Sequence, residues 1–289
     1  MTIRKILLPL IGVECDDSAV KTAFVTAKAL QAHLDAVFVR PDPKETLPYF
    51  GEGLSGAVIQ DILDAAKEAA DKSAAQLREL IGQEAERTGV ALVPEPGGPG
   101  RATVSFRQVT GPLAPTVNRA SRLADLVIFV HGEAAQAAGI SRALQECLIG
   151  SGKPILLAPE QPAQTIGTRI AVGWDGSVEA AEAVQAALPF LAHAQEIHIV
   201  NVVSGELHTD EADQLSGYLG LHGFKSTEHV VRTGGKPVGE VLLAEAIDAK
   251  ADLLVMGGFG HSRLREFLLG GVTRHVISHA TIPVLLAHS

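Results

Sequence analysis

The sequence is poor in cysteine, in basic charge and in long apolar runs, and each shortage excludes a class of protein. Its 289 residues hold two cysteines, Cys15 and Cys147. Thiols so far apart make neither a disulfide framework nor a zinc cluster, and both read as free thiols. Lysine and arginine number 24 against 33 acidic residues, a net charge of −9 with a pI of about 5.6. Nucleic acid needs a basic footprint and is excluded as a partner, though a local basic loop around one small phosphate ligand is not. No apolar run reaches the roughly 18 residues of a membrane span. The stretch after Arg4-Lys5, Ile6 to Ile11, is too short for a secretory leader and no small-residue cleavage site follows. The expectation is a soluble, cytoplasmic protein.

Common site signatures are missing as well. Ser141 and Ser177 lack a Gly-x-Ser-x-Gly elbow, so nucleophilic hydrolysis has no support. No Gly-Lys-Ser/Thr completes a P-loop, and Gly258 to Arg263 lacks the third glycine of a dinucleotide fingerprint.

What is present is a repeat. Lys5-Ile6-Leu7-Leu8-Pro9-Leu10 reads like Arg169-Ile170-Ala171-Val172-Gly173-Trp174, 164 positions later. Ala124 to Ile128 matches Ala251 to Val255 at a spacing of 127, and Pro154 to Ala158 matches Pro283 to Ala287 at 129. Two halves thus share an order of elements, and the first carries an insertion of about 37 residues. The insertion covers much of 56–87, where Ile59, Ile62, Leu63, Ala66, Ala70, Leu77 and Ile81 mark one face of a long helix, suited to packing or partner contact. The polar stretch Glu160 to Thr168 separates a first domain, 1–160, from a second, 168–289.

The second half alternates short apolar strands (169–174, 196–203, 226–232, 253–256, 284–287) with helices (177–191, 210–222, 238–250, 272–280). That alternation means βαβ units and a parallel sheet, with ligands at the carboxyl ends of strands, after Trp174, Val203 and Met256. There Gly257-Gly258-Phe259-Gly260 is followed by His261, Arg263, Arg265 and Gly270-Gly271-Val272-Thr273. Glycines let amides approach an anion, and amides at a helix start make an anion-binding concavity. The same glycines also suit a tight strand-to-helix turn with no ligand.

Gly257-x-x-Gly260, nine residues, Gly270, a small residue and then Val272-Thr273 resembles the nucleotide loop of the universal stress protein family. Asp175-Gly176-Ser177 and the closing Ile282-Pro283-Val284-Leu285-Leu286 are similar too. The resemblance covers 168–288 well and 3–159 more weakly. It implies two tandem Rossmann-like (adenine nucleotide alpha hydrolase-like) α/β domains, each a five-stranded parallel sheet flanked by helices, in the manner of a dimer within one chain. Its implied ligand is ATP or AMP, with or without Mg2+. Asp175 would bond adenine or ribose; Gly173, Val202 and Met256 would line the base pocket; Gly257, Gly260, Gly270, Gly271, Val272 and Thr273 would hold ribose and phosphates. Gly271 replaces the family's Ser or Thr, which keeps an amide and loses a hydroxyl. Trp174 could stack on a base or block it.

The first half departs further. His131-Gly132-Glu133 replaces the Gly-x-x-Gly, no acidic residue stands at the position of Asp175, and Gly150-Ser151-Gly152-Lys153 reads as a turn. This half reads as a degenerate domain without nucleotide. His275 and His279 have a metal-ligand spacing but no third ligand, so no metal is expected. Asp175 also suits helix capping. The function implied is a stress-response or regulatory factor with an unidentified protein partner and a homodimeric state. A ligand-free interaction module and a slow ATPase are the alternatives; no general base or dedicated Mg2+ carboxylate stands by the loop, so no catalytic residue is assigned.

Overall fold

The computed structural model describes residues 2–42, 56–131, 140–203, 210–258 and 270–288. In the first half, strands β1 (Lys5–Leu10), β2 (His33–Arg40), β3 (Ala91–Leu92), β4 (Thr103–Thr110), β5 (Leu126–Val130) and β6 (Ile155–Ala158) alternate with four helices. These are α1 (Asp16–Leu30), α2 (Gly56–Thr88), α3 (Leu113–Ser121) and α4 (Ile140–Ser151). The second half supplies β7 (Arg169–Gly173), β8 (Glu196–Val203), β9 (Thr227–Arg232), β10 (Leu253–Gly257) and β11 (Val284–Ala287). Its helices are α5 (Val178–Leu191), α6 (Asp210–Leu221), α7 (Val238–Asp248) and α8 (Gly271–His279).

The strands form one sheet in the order β3-β4-β2-β1-β5-β6-β11-β10-β7-β8-β9. Every neighbouring pair is parallel except β6 and β11, which run antiparallel where the halves meet. The chain reverses its winding between β1 and β5, and again between β7 and β10. Those two switch points open crevices at the carboxyl ends of the strands.

Why these segments become strands is plain from burial. Ile6, Leu8, Leu34, Ile128, Ile170, Val255 and Leu285 are all fully covered, so the strands are apolar almost without interruption. Helices instead show one covered stripe. In α2 the buried residues are Ala74, Leu77, Ile81, Glu84 and Ala85, all in its second half. Its first four turns expose or half-expose Val58, Ile59, Ile62 and Leu63.

Two details differ from expectation. Among the described residues the first half has six strands rather than five, because Ala91–Leu92 pairs briefly with β4; a two-residue strand carries no periodic signal. Gly150 and Ser151 close a helix rather than form a turn, and Gly152 follows at φ +61°, a left-handed stop before Lys153-Pro154. Among the described residues no helix is long and apolar enough to cross a membrane.

Candidate functional site

The second crevice is built from two strand ends and two helix starts. β7 stops at Gly173, and a Cβ there would lie 3.0 and 3.1 Å from the Leu242 methyls. A side chain at this position would therefore enter the crevice. The Trp174 amide donates to Val200 O at 2.9 Å and extends the ladder one step. The chain then turns through Gly176 at φ +72°, a conformation glycine adopts without strain. Ser177 caps α5, its hydroxyl accepting from the Ala180 amide at 3.1 Å. Asp175, exposed, supports the cap: its Oδ1 accepts from the Ser177 amide at 3.0 Å and from the Ser177 hydroxyl at 2.5 Å.

The glycines opposite divide into two kinds. A Cβ on Gly257 would meet Ala180 N at 2.7 Å and Glu179 C at 2.8 Å, both backbone, so this glycine lets β10 touch the start of α5. Among the described residues, nothing lies within 4 Å of a Cβ at Gly270 or Gly271. Neither has a positive φ; Gly270 is the N-cap of α8 at φ −54° and has no side chain to cap with. Neither packing nor backbone conformation requires glycine at these two positions. Thr273, one turn on, is buried.

Together these residues line a cleft of about 160 Å³. Gly173, Asp175, Val202, Met256, Gly257, Gly270, Gly271, Val272 and Thr273 all border it, so nine of the ten residues singled out in the sequence converge. Gly260, with His261, Arg263 and Arg265, lies outside the described residues. Sequence reasoning missed Val200, Val238, Leu242, Ser177 and Glu179. Val200 was legible, standing two positions before Val202 on the same strand face. Leu242 was assigned only to the apolar face of α7, which also forms one wall here. The described lining has an apolar floor and two carboxylates, Asp175 and Glu179, at its rim.

The first half carries other residues at the equivalent positions. Asp125 Oδ2 accepts the Lys5 amide as Asp252 Oδ1 accepts that of Arg169, which fixes the correspondence between halves. Pro9 then stands for Gly173, Ile11 for Asp175, Phe129 for Met256, Val130 for Gly257 and His131 for Gly258. Each replacement adds bulk, and one removes a carboxylate. The acid reappears inside α1: Asp16 Oδ2 accepts amides of Ile11, Gly12 and Val13 at 3.1, 2.7 and 3.3 Å. Burial outweighs those bonds and pushes its carboxyl up to about 6. His131 is buried as well, and loss of solvent pushes it down to about 4.

Histidines on α8 do not converge on a ligand position. The rings of His275 and His279 stack with centroids 4.2 Å apart, and His279 Nδ1 donates to the His275 carbonyl at 2.8 Å.

A doubly wound α/β sheet with a cleft at its second switch point defines a class of small-ligand-binding folds. Within it, residues 168–288 match the profile of the Universal stress protein family. The second half of the chain is thus similar to that family. A universal stress protein of Synechocystis sp. is 34% identical over 176 residues, 55% of this chain and 56% of its own length, so the chain spans about half of this curated relative. Two solved structures follow the fold across both halves. A universal stress protein from Archaeoglobus fulgidus superposes with a TM-score of 0.70 at 17% identity, over 98% of this chain and 97% of its own. A putative one from Pseudomonas aeruginosa gives 0.59 at 16%, over 99% and 93%.

Proposed function

We propose that the second half binds an adenine nucleotide, ATP or AMP, and that the protein acts as a stress-response or regulatory factor whose loaded state is read by a protein partner. On this reading the chain divides into a degenerate domain, 1–160, and a working domain, 168–289. The observation that carries it is the pair Gly270 and Gly271. They stand at the start of α8, beside an apolar-floored cleft, with open space where side chains would be. Helix-start amides free of Cβ atoms suit a phosphate, and the apolar floor suits a base. Asp175, already oriented by Ser177, would bond adenine or ribose. With ATP, Mg2+ would accompany the phosphates.

Nucleotide released from freshly purified, heat-denatured protein, measured by mass spectrometry, tests the reading against Gly270→Val. Among the described residues that substitution meets nothing, and it occupies the space before the amides. The expected result is adenine nucleotide near one per chain from the parent and little from the variant. No binding of ATP or AMP to the parent at millimolar concentration, by equilibrium dialysis, removes the proposal and leaves the ligand-free interaction module.

A further inference from the structure

On β8 and β9, one strand step toward the amino ends from the cleft-lining Val200, the halves differ again. In the first half Asp35 gathers two cations: Lys5 Nζ lies 3.0 Å away, and Arg107 donates from Nε at 2.9 Å and Nη2 at 3.1 Å. By strand register Arg169 takes the place of Lys5, His198 that of Asp35 and His229 that of Arg107. A closed ion cluster has become a histidine pair, with His198 Nδ1 3.0 Å from His229 Nε2. Glu196 Oε2 approaches His198 Nε2 at 3.4 Å, and Arg169 Nε holds the other Glu196 oxygen at 3.1 Å. The pair borders a cleft of about 440 Å³, also lined by Glu245, Asp248 and Lys250.

Carboxylate acceptance at Nε2 leaves the His198 Nδ1 lone pair directed at His229. Two imidazole nitrogens 3.0 Å apart are within the span of one ion bound to both at roughly 2.0–2.1 Å. The chain carboxylate, imidazole, ion is the usual outer support of a metal-bound histidine. Imidazole pairs favour zinc, copper and nickel over magnesium and calcium. The three carboxylates around the cleft outnumber its Arg169 and Lys250, which favours a cation.

We propose that His198 and His229 form a site for a borderline divalent cation of the Zn2+ type, with Glu196 orienting His198 and water completing the coordination. Among the described residues no third His, Cys, Asp or Glu joins them, so two protein ligands hold the ion and the affinity is modest. The ion takes both lone pairs, and the His229 proton moves from Nε2 to Nδ1 through solvent, so no net proton is released. The site shares no lining residue with the nucleotide cleft.

Calorimetric titration of chelator-stripped full-length protein with ZnCl2 tests it. One saturable site is expected, weakened at least about tenfold in His198→Asn and in His229→Gln, and also weakened in Glu196→Gln. His275→Gln should bind as the parent does. Imidazole NMR of the parent gives a readout that no variant's folding can confuse: zinc should shift His198 and His229 together. Parent affinity retained in His229→Gln, no binding at about 1 mM zinc, or shifts confined to other histidines would each overturn the proposal.

Discussion

The two halves share a strand register and treat the same crevice in opposite ways. In the second half, glycines at 173, 270 and 271 leave it free of side chains, Gly257 lets β10 touch α5, and its acid, Asp175, stands exposed at the rim. In the first half Pro9, Phe129 and Val130 stand at the matching positions, and the loop amides of Ile11, Gly12 and Val13 are taken up by Asp16 from within the fold. A crevice of this fold can thus be closed with its sheet intact. Closing requires filler for the space and an internal acceptor for the loop donors, because a buried amide without a partner costs about 1–3 kcal/mol.

The largest expected effect comes from forcing the first half's solution onto the second. Gly257→Val installs the residue that stands at 130. In the first half Val130 is accommodated; at 257 the new Cβ meets the backbone of Glu179 and Ala180 below 3 Å. Backbone cannot rotate away, so β10 and α5 must separate. A loss of about 3 kcal/mol is expected in denaturant unfolding, at the upper end of overpacking costs. A loss below about 1 kcal/mol would mean that α5 shifts freely and that the close approach of Gly257 is incidental.

Next is the acid that moved indoors. The Asp16 carboxyl is raised to about 6 by burial, above its unfolded value of roughly 3.9. A raised carboxyl binds its proton more tightly in the folded state. Its contribution is therefore complete below pH 4, falls as pH rises through 4–6, and levels off above. The fall is on the order of 2–3 kcal/mol. Asp16→Asn keeps an oxygen for the three amides and cannot ionise. Unfolding free energies of parent and variant, measured from pH 4 to 7, should therefore diverge in the variant's favour as pH rises. Parallel curves would place the charge in a better-solvated position than its burial implies, and would weaken the view that the first loop is sealed.

Much of this contrast was legible from residue order. Apolar runs at 169–174 and 253–256 against helical spacing at 177–191 and 238–250 sufficed for a parallel sheet, and the glycines marked where the strands end. The join of β6 to β11 was not legible, since edge pairing between halves depends on which strands end up last in each sheet. Nor was the division of the glycines: Gly257 and Gly271 look alike in a sequence, and only the distance to Ala180 separates a packing glycine from one facing space. The role of Asp16 was hidden because it follows the turn by four residues and reaches back. His198 and His229 stand on adjacent strands 31 residues apart, a pairing that only register reveals.

The smallest effect concerns the rim itself. Ser177 caps α5 through Ala180 N and receives Asp175 on its amide and hydroxyl. α1 has no such device, since its N-cap, Cys15, makes no side-chain cap bond. Ser177→Ala should lower stability by about 1 kcal/mol, the usual cost of a lost cap. It also removes the hydroxyl that holds Asp175 Oδ1, while the amide at 177 still donates to it. If Asp175 bonds the ligand, nucleotide affinity should fall several-fold in this variant, while Asp175→Ala should weaken binding further at little cost in stability. Calorimetric binding and thermal unfolding on the two variants separate the roles. Equal stability losses with unchanged affinity would make Asp175 a capping residue alone, and the rim of the second crevice would then differ from the first only in how its helix begins.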